Sequence, residues 1–306
     1  MRQSGRTRVA VKAAREDTLR LEGSGPDVKG EFFRLLTLFS VVLGVVTLCA
    51  LLVHTLFKGW PRLDMNLLTQ MPSTLDPTTS GMLSAIVGTT YVMLGVLLTA
   101  VPIGVSAAVY LEEYADGSKW YNRLIELNIQ NLAAVPSIVF GILGLAFIYR
   151  GPLSLGGVAF AGSLTLTMLV LPTVILASRE ALRAVPSSLR AASMGLGATQ
   201  WDTIRRQVLP AAMPGILTGT ILAMSRAIGE TAPLLLVGAT TFVQFNPDSP
   251  FSGAYTTLPV QIFNWALRPQ DEFRVLAAAG TMVLIGLLLV MNSFAIWLRN
   301  RFSREY

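Results

Sequence analysis

The amino-acid sequence predicts an all-α integral membrane protein with six transmembrane helices. Of its 306 residues, 52% are hydrophobic and 14% charged, against roughly 25% charged in soluble domains. The apolar residues fall in long blocks, and the basic residues gather between them. This pattern excludes an ordinary soluble enzyme. The formal net charge of +6 would suit nucleic acid if it formed a stripe, but its placement at block ends reads as membrane topology, with lipid and no nucleic acid as partner.

In chain order, residues 1–34 are charged and carry Gly23, Gly25 and Pro26, which predicts a mostly disordered tail. A span needs about 20 apolar residues to cross roughly 30 Å of hydrocarbon. Leu35–Phe57 is the first such stretch, and it is longer than the apolar core of a cleavable signal peptide. A core domain over 82–298 supplies the other five: Met82–Ala108, Leu132–Tyr149, Gly156–Ala177, Gly215–Val237 and Val275–Leu298. Backbone groups in lipid must bond within their own segment, so all six are helices. Pro102, Pro136, Pro172 and Pro233 predict kinks, because each removes a backbone donor. Gly215 and Gly219 form a G-x-x-x-G pattern suited to a close helix contact.

With six spans both termini share a side. The tail, the loop after the second span, the loop after the fourth and the C-terminus together hold eighteen basic residues, and the opposite loops hold five. The basic side faces the cytoplasm, which places both termini and residues 179–210 there.

Candidates for covalent chemistry are sparse. One cysteine (Cys49) and one histidine (His54) exclude an intrachain disulfide and a clustered zinc site. His54 reads as an interfacial polar residue. No G-x-S-x-G or H-E-x-x-H motif is present, and no G-x-x-x-x-G-K-[ST] loop can cradle a nucleotide's phosphates. The chain is therefore expected to bind no cofactor and to hydrolyse no ATP alone.

Residues 179–210 are unusual for a loop, carrying Leu189, Met194, Leu196, Trp201 and Val208 at partly helical spacing. Ser187 or Ser188 can cap a short helix to about Leu196, Gly197 supplies a turn, and Thr199 caps a second helix ending before Pro210. Such a hairpin either protrudes as a knob or lies on lipid.

Resemblance separates those alternatives. Ala192, Ser193, Gly197, Leu209 and Pro210 resemble the loop of ATP-binding-cassette importer permeases that carries Glu-Ala-Ala, a glycine and a terminal Ile-x-Leu-Pro. Ala191 stands where that family usually has Glu, and Gln207 where it has Ile or Val. YLEEYA (Tyr110–Ala115), NLAAVPSIVFGILGL (Asn131–Leu145) and SRAIGETAPLLL (Ser225–Leu236) look like the phosphate permeases of PstA type. The resemblance implies a type I importer permease fold, with a coupling helix in 179–210 that docks on a separate ATPase. It also implies a second permease of PstC type, two ATPase subunits of PstB type that use ATP and Mg, and an extracytoplasmic phosphate-binding protein of PstS type. A bacterial inner or plasma membrane is implied as the location. Another oxyanion (molybdate, sulfate, phosphonate) would keep the architecture; an intramembrane enzyme or a passive channel would need no ATPase.

Arg226 and Glu230 are four residues apart, so they are expected to lie on one face of the fifth helix and to meet. Charges at mid-membrane cost about 2.5–3.5 kcal/mol each on insertion scales, so the pair needs a reason. One reading is a self-neutralising structural pair. The other sets Arg226, whose planar donors match phosphate oxygens, on the translocation path with Glu230 orienting it. Ser225 and Thr231 add hydroxyls nearby. The segment Leu258–Pro269 reads either as a docking surface for the binding protein or as a loop folded onto helix ends.

Overall fold

A computed structural model describes residues 28–302 other than 241. The expected tail therefore lies largely outside the described residues; its last part, 28–34, is already helical. The chain divides into two units, 1–54 and 55–306. The first contains most of α1 (Val28–Gly59), a 32-residue helix long enough to cross a membrane. Three of its hydroxyls bond back to the helix: Thr37, Ser40 and Thr47 donate to the carbonyls of Phe33, Leu36 and Leu43 at 2.8, 2.9 and 2.8 Å.

The second unit begins with α2 (Met65–Thr69), capped by Asp64, which accepts from the Leu67 N–H at 2.9 Å. Then come α3 (Leu83–Val109) and a π-helical turn over Tyr110–Tyr114. Helices α4 (Trp120–Ala133) and α5 (Ser137–Gly144) follow, the latter ending in a π turn, Leu145–Tyr149. Helix α6 (Ala159–Arg183) precedes the short α7 (Ser187–Gly195) and α8 (Gln200–Thr203). A π turn, Ile204–Val208, leads into α9 (Leu209–Ile228), and α10 (Ala232–Leu236), α11 (Leu258–Ala266) and α12 (Asp271–Phe302) complete the unit. No strand occurs among the described residues.

Helix α6 is the centre of this unit. Its Val170 and Val174 pack with Val92 and Val96 of α3 and with Ala223 and Ala227 of α9. Lipid tails are as apolar as these side chains, so contact comes from close backbone approach at small residues. A Cβ on Gly215 would lie 2.6 Å from that of Ala181, and one on Gly219 would collide with Ala177. The expected G-x-x-x-G contact is thus the α9–α6 interface. Thr99 and Thr167 add an inter-helix hydroxyl pair at 2.6 Å.

Two expected spans differ in the structure. The third is a pair, Trp120–Ala133 and Ser137–Tyr149, bent by 104°. Pro136 lacks the N–H that would continue α4 and restricts Val135 before it. The fifth does not run to Val237: α9 stops at Ile228, because Gly229 is a poor helix former and Pro233 cannot donate to the Gly229 carbonyl. Pro102 and Pro172 lie inside uninterrupted helices. Leu258–Pro269 folds onto helix ends: Leu258, Val260, Gln261 and Trp265 of α11 are buried, and Trp265 packs with Phe273 and Leu276 of α12.

Candidate functional site

Charged and polar side chains gather at two places, one at each end of α9. At its start lies the 179–210 hairpin. The cap of α7 is Pro186, with Ser187 and Ser188 already helical and no side-chain cap bond, so the expected serine cap is replaced by proline's fixed φ. Gly197 has φ +87°, a left-handed turn that a side chain would strain. Thr199 caps α8 as expected, its hydroxyl oxygen accepting the Asp202 N–H at 3.1 Å. The two arms are closed by Ser193 and Thr203, whose hydroxyls lie 2.9 Å apart.

The second arm does not end before Pro210. It continues through the π turn into α9, giving one helical run from Gln200 to Ile228. Proline has no N–H to give the carbonyl one α-turn back, and the wider turn, in which the Leu209 N–H donates to the Ile204 carbonyl, absorbs the mismatch. Leu209 packs beside the buried Val208, Ala212 and Ile216, whereas Pro210 is exposed. Ala191 and Ala192 are exposed on α7, with Met194, Leu196 and Trp201 at 49%, 92% and 57% exposure. Leu189, Ala192, Gly197, Asp202 and Arg206 line an open groove of about 610 Å³.

Beside the hairpin is an ion-pair cluster whose glutamates lie in YLEEYA but whose pairing no sequence pattern gives. Glu112 and Glu113, in the π turn after α3, face arginines 71 and 77 residues away in sequence. Arg179, buried at the end of α6, bridges Glu112 at 3.5 Å and Glu126 of α4 at 3.0 Å, and Arg183 reaches Glu112 at 3.2 Å. Arg179 and Arg183 therefore belong to the last turns of α6, not to a loop. Arg190 binds Glu113 at 2.6 Å. It also donates to the carbonyls of Leu182 and Val185 at 2.9 and 2.7 Å. The i, i+4 spacing of Arg179 and Arg183 and the paired glutamates of YLEEYA are signals of it in the sequence. In the adjoining turn, the Ser118 hydroxyl donates to Asp116 at 2.7 Å and holds that carboxyl below its usual range.

At the far end of α9, Arg226 occupies the last helical turn and Glu230 lies beyond it in the break. The expected single helical face is thus lost. The pair still meets, with Arg226 Nε 3.5 Å from Glu230 Oε1, and their side chains are 44% and 18% exposed. This is one contact, not a fork. The Gly229 and Glu230 N–H groups donate to the Arg226 and Ala227 carbonyls, both at 3.2 Å, tightening the helix end. Ser225 is not open toward the pair: its hydroxyl donates to Asn292 of α12 at 2.8 Å. Asn292, unremarkable in the sequence, anchors α9 to α12. Thr231 precedes α10 without a side-chain cap bond.

Residues 100–304 match the family model described as binding-protein-dependent transport system inner membrane component. A phosphate transport system permease protein PstA from Haemophilus influenzae is 34% identical over 261 residues, covering 85% of this chain and 89% of that protein. PstA 1 of Mycobacterium tuberculosis is 40% identical over 189 residues, 61% of this chain and 60% of that one. A chain in the crystal structure of a bacterial alginate ABC transporter, bound to its pentasaccharide-loaded periplasmic protein, superposes with TM-score 0.60 at 14% identity, covering 90% of this chain and 98% of the other. By the family model and the extent of these relatives, the chain belongs to the inner membrane components of binding-protein-dependent transport systems, among the PstA-type permeases.

Proposed function

We propose that this chain is the permease subunit of an ATP-driven importer of inorganic phosphate, forming half of the translocation path and coupling it to a separate ATPase. The substrate follows from kinship to permeases named for phosphate transport. The observation that carries the coupling role is the hairpin at the start of α9, where exposed Met194, Leu196 and Trp201 flank the Gly197 turn. Aromatic and Met side chains of this kind supply contact area at interfaces. The other subunits are a second permease of PstC type, two PstB-type ATPases that take ATP and Mg, and a PstS-type binding protein. The eighteen-to-five distribution of basic residues supports a cytoplasmic side for both termini and the hairpin.

Arg226 would meet the passing anion. Only its Nε is engaged by Glu230, so the terminal Nη groups are available to phosphate oxygens. Glu230 orients Arg226. Thr231 sits beside the helix break as an auxiliary hydroxyl.

The test is uptake of radiolabelled phosphate by the reconstituted complex, with molybdate, sulfate and phosphonate as competitors. Phosphate uptake that requires ATP and resists the competitors is the expected result. Preferential uptake of another oxyanion would change the substrate, and ATP-independent flux would contradict the importer.

A further inference from the structure

Building on the coupling role above, we propose that Glu113 is a positioning residue that clamps both arms of the hairpin to the end of α3. Helix α3 then moves with the hairpin.

Along the chain the hairpin is joined only to α6 and α9. Nothing in that connectivity obliges α3 to follow when a docked ATPase displaces the hairpin. Glu113 adds a direct link to the hairpin from two sides, and its partner Arg190 extends it toward α6. Its carboxylate takes Arg190 Nη2 at 2.6 Å, and Arg190 Nε at 3.2 Å from both oxygens, which fixes the first arm. Its main-chain carbonyl accepts Gln200 Nε2 at 2.7 Å, which fixes the start of the second arm. The same Arg190 holds the Leu182 and Val185 carbonyls at the end of α6. Glu113 and Arg190 together therefore tie the end of α3, the end of α6 and both arms on either side of Gly197.

The chemistry suits a link that persists under load. Glu113's side chain is 8% exposed and that of Arg190 20%, so water and salt screen the pair weakly. Arg190's bonds spread over carboxylate and carbonyl oxygens resist tilting as well as stretching.

The experiment uses the whole complex in proteoliposomes, with phosphate uptake and ATP hydrolysis read on the same vesicles. Glu113→Gln keeps an acceptor for Arg190 and leaves the main-chain bond to Gln200, removing only the charge. The expected result is normal co-purification of the ATPase, continued ATP hydrolysis and a fall of roughly fivefold or more in phosphate moved per ATP. A purely structural contact would not move that ratio, so an unchanged ratio overturns the clamp. If the variant lowers abundance, Gln200→Ala decides: it releases the second arm from Glu113 while leaving the Glu113–Arg190 pair intact, the ratio should fall, and a wild-type ratio overturns the clamp. A wild-type complex that retains no ATPase or takes up no phosphate would instead overturn the importer reading, and the clamp with it.

Discussion

The two ends of α9 hold charge in opposite ways. At the start, Glu113 and Arg190 are mostly buried, 2.6 Å apart, and Arg190 adds two carbonyls to the carboxylate. At the end, Arg226 and Glu230 share one 3.5 Å contact, with the arginine nearly half exposed. Both pairs join Arg to Glu. The first engages all three guanidinium nitrogens within the protein and so serves to hold elements together. The second leaves donors unspent at a helix break, an arrangement suited to a visiting anion. Between them lie about 30 Å of helix, packed on α6 through Gly215 and Gly219.

Arg190→Met should be the most damaging change to stability. It leaves Glu113 buried without its counter-charge and strips the Leu182 and Val185 carbonyls of a donor. A loss of about 3–5 kcal/mol is expected, read by thermal unfolding in detergent. A loss as small as that of a surface pair would erase the contrast between the two ends.

Arg226→Gln should do the reverse, holding membrane abundance while lowering phosphate uptake. A hydrogen bond to a charged group is worth about 1.5–3 kcal/mol, so a drop of roughly tenfold to a hundredfold is expected. Arg226→Lys should rescue poorly, because a point charge lacks the planar fork. Pairing Arg226→Gln with Glu230→Gln is the sharper measurement: full recovery of uptake in the double variant would make this pair structural too.

Gly197→Leu places a branched side chain at φ +87°, a strain of about 1–2 kcal/mol. The complex should assemble with the chain in the membrane yet transport poorly; normal uptake at normal expression would remove the turn from the coupling route. The smallest effect belongs to Ser225→Ala. Losing its bond to Asn292 should cost about 0.5–1.5 kcal/mol of stability and leave phosphate uptake near wild type. A large uptake defect would move Ser225 onto the anion path.

Features that depend on neighbouring residues are legible in the amino-acid sequence. Apolar blocks mark the spans, the G-x-x-x-G marks the α9–α6 contact, and Gly197 with Thr199 marks the hairpin turn. Helix α4 escapes notice because Asn122, Arg123, Glu126, Asn128 and Gln130 dilute its apolar face. The break after Ile228 is signalled only as a kink at Pro233, because a span-length apolar window averages over Gly229 and Pro233 and runs the helix on to Val237. The pairing of Glu112 and Glu113 with their arginines is beyond local reasoning, although both glutamates lie in YLEEYA. Arg183 and Arg190 lie 71 and 77 residues from their glutamates, and no periodicity links residues at that distance. The same remoteness applies to Ser225 and Asn292, 67 residues apart.

The π turn at Ile204–Val208 has a geometric consequence for the hairpin. A π turn accommodates one residue more than an α turn, so it rotates the helix on its N-terminal side by roughly 100° about the axis relative to the C-terminal side. Helix α9 is pinned to α6 by its glycines, so that phase shift falls on α8 and its exposed Trp201. The compass bearing of the docking face is therefore encoded in residue count. Removing a single residue from that stretch would re-aim Trp201 without altering any side chain on the face itself.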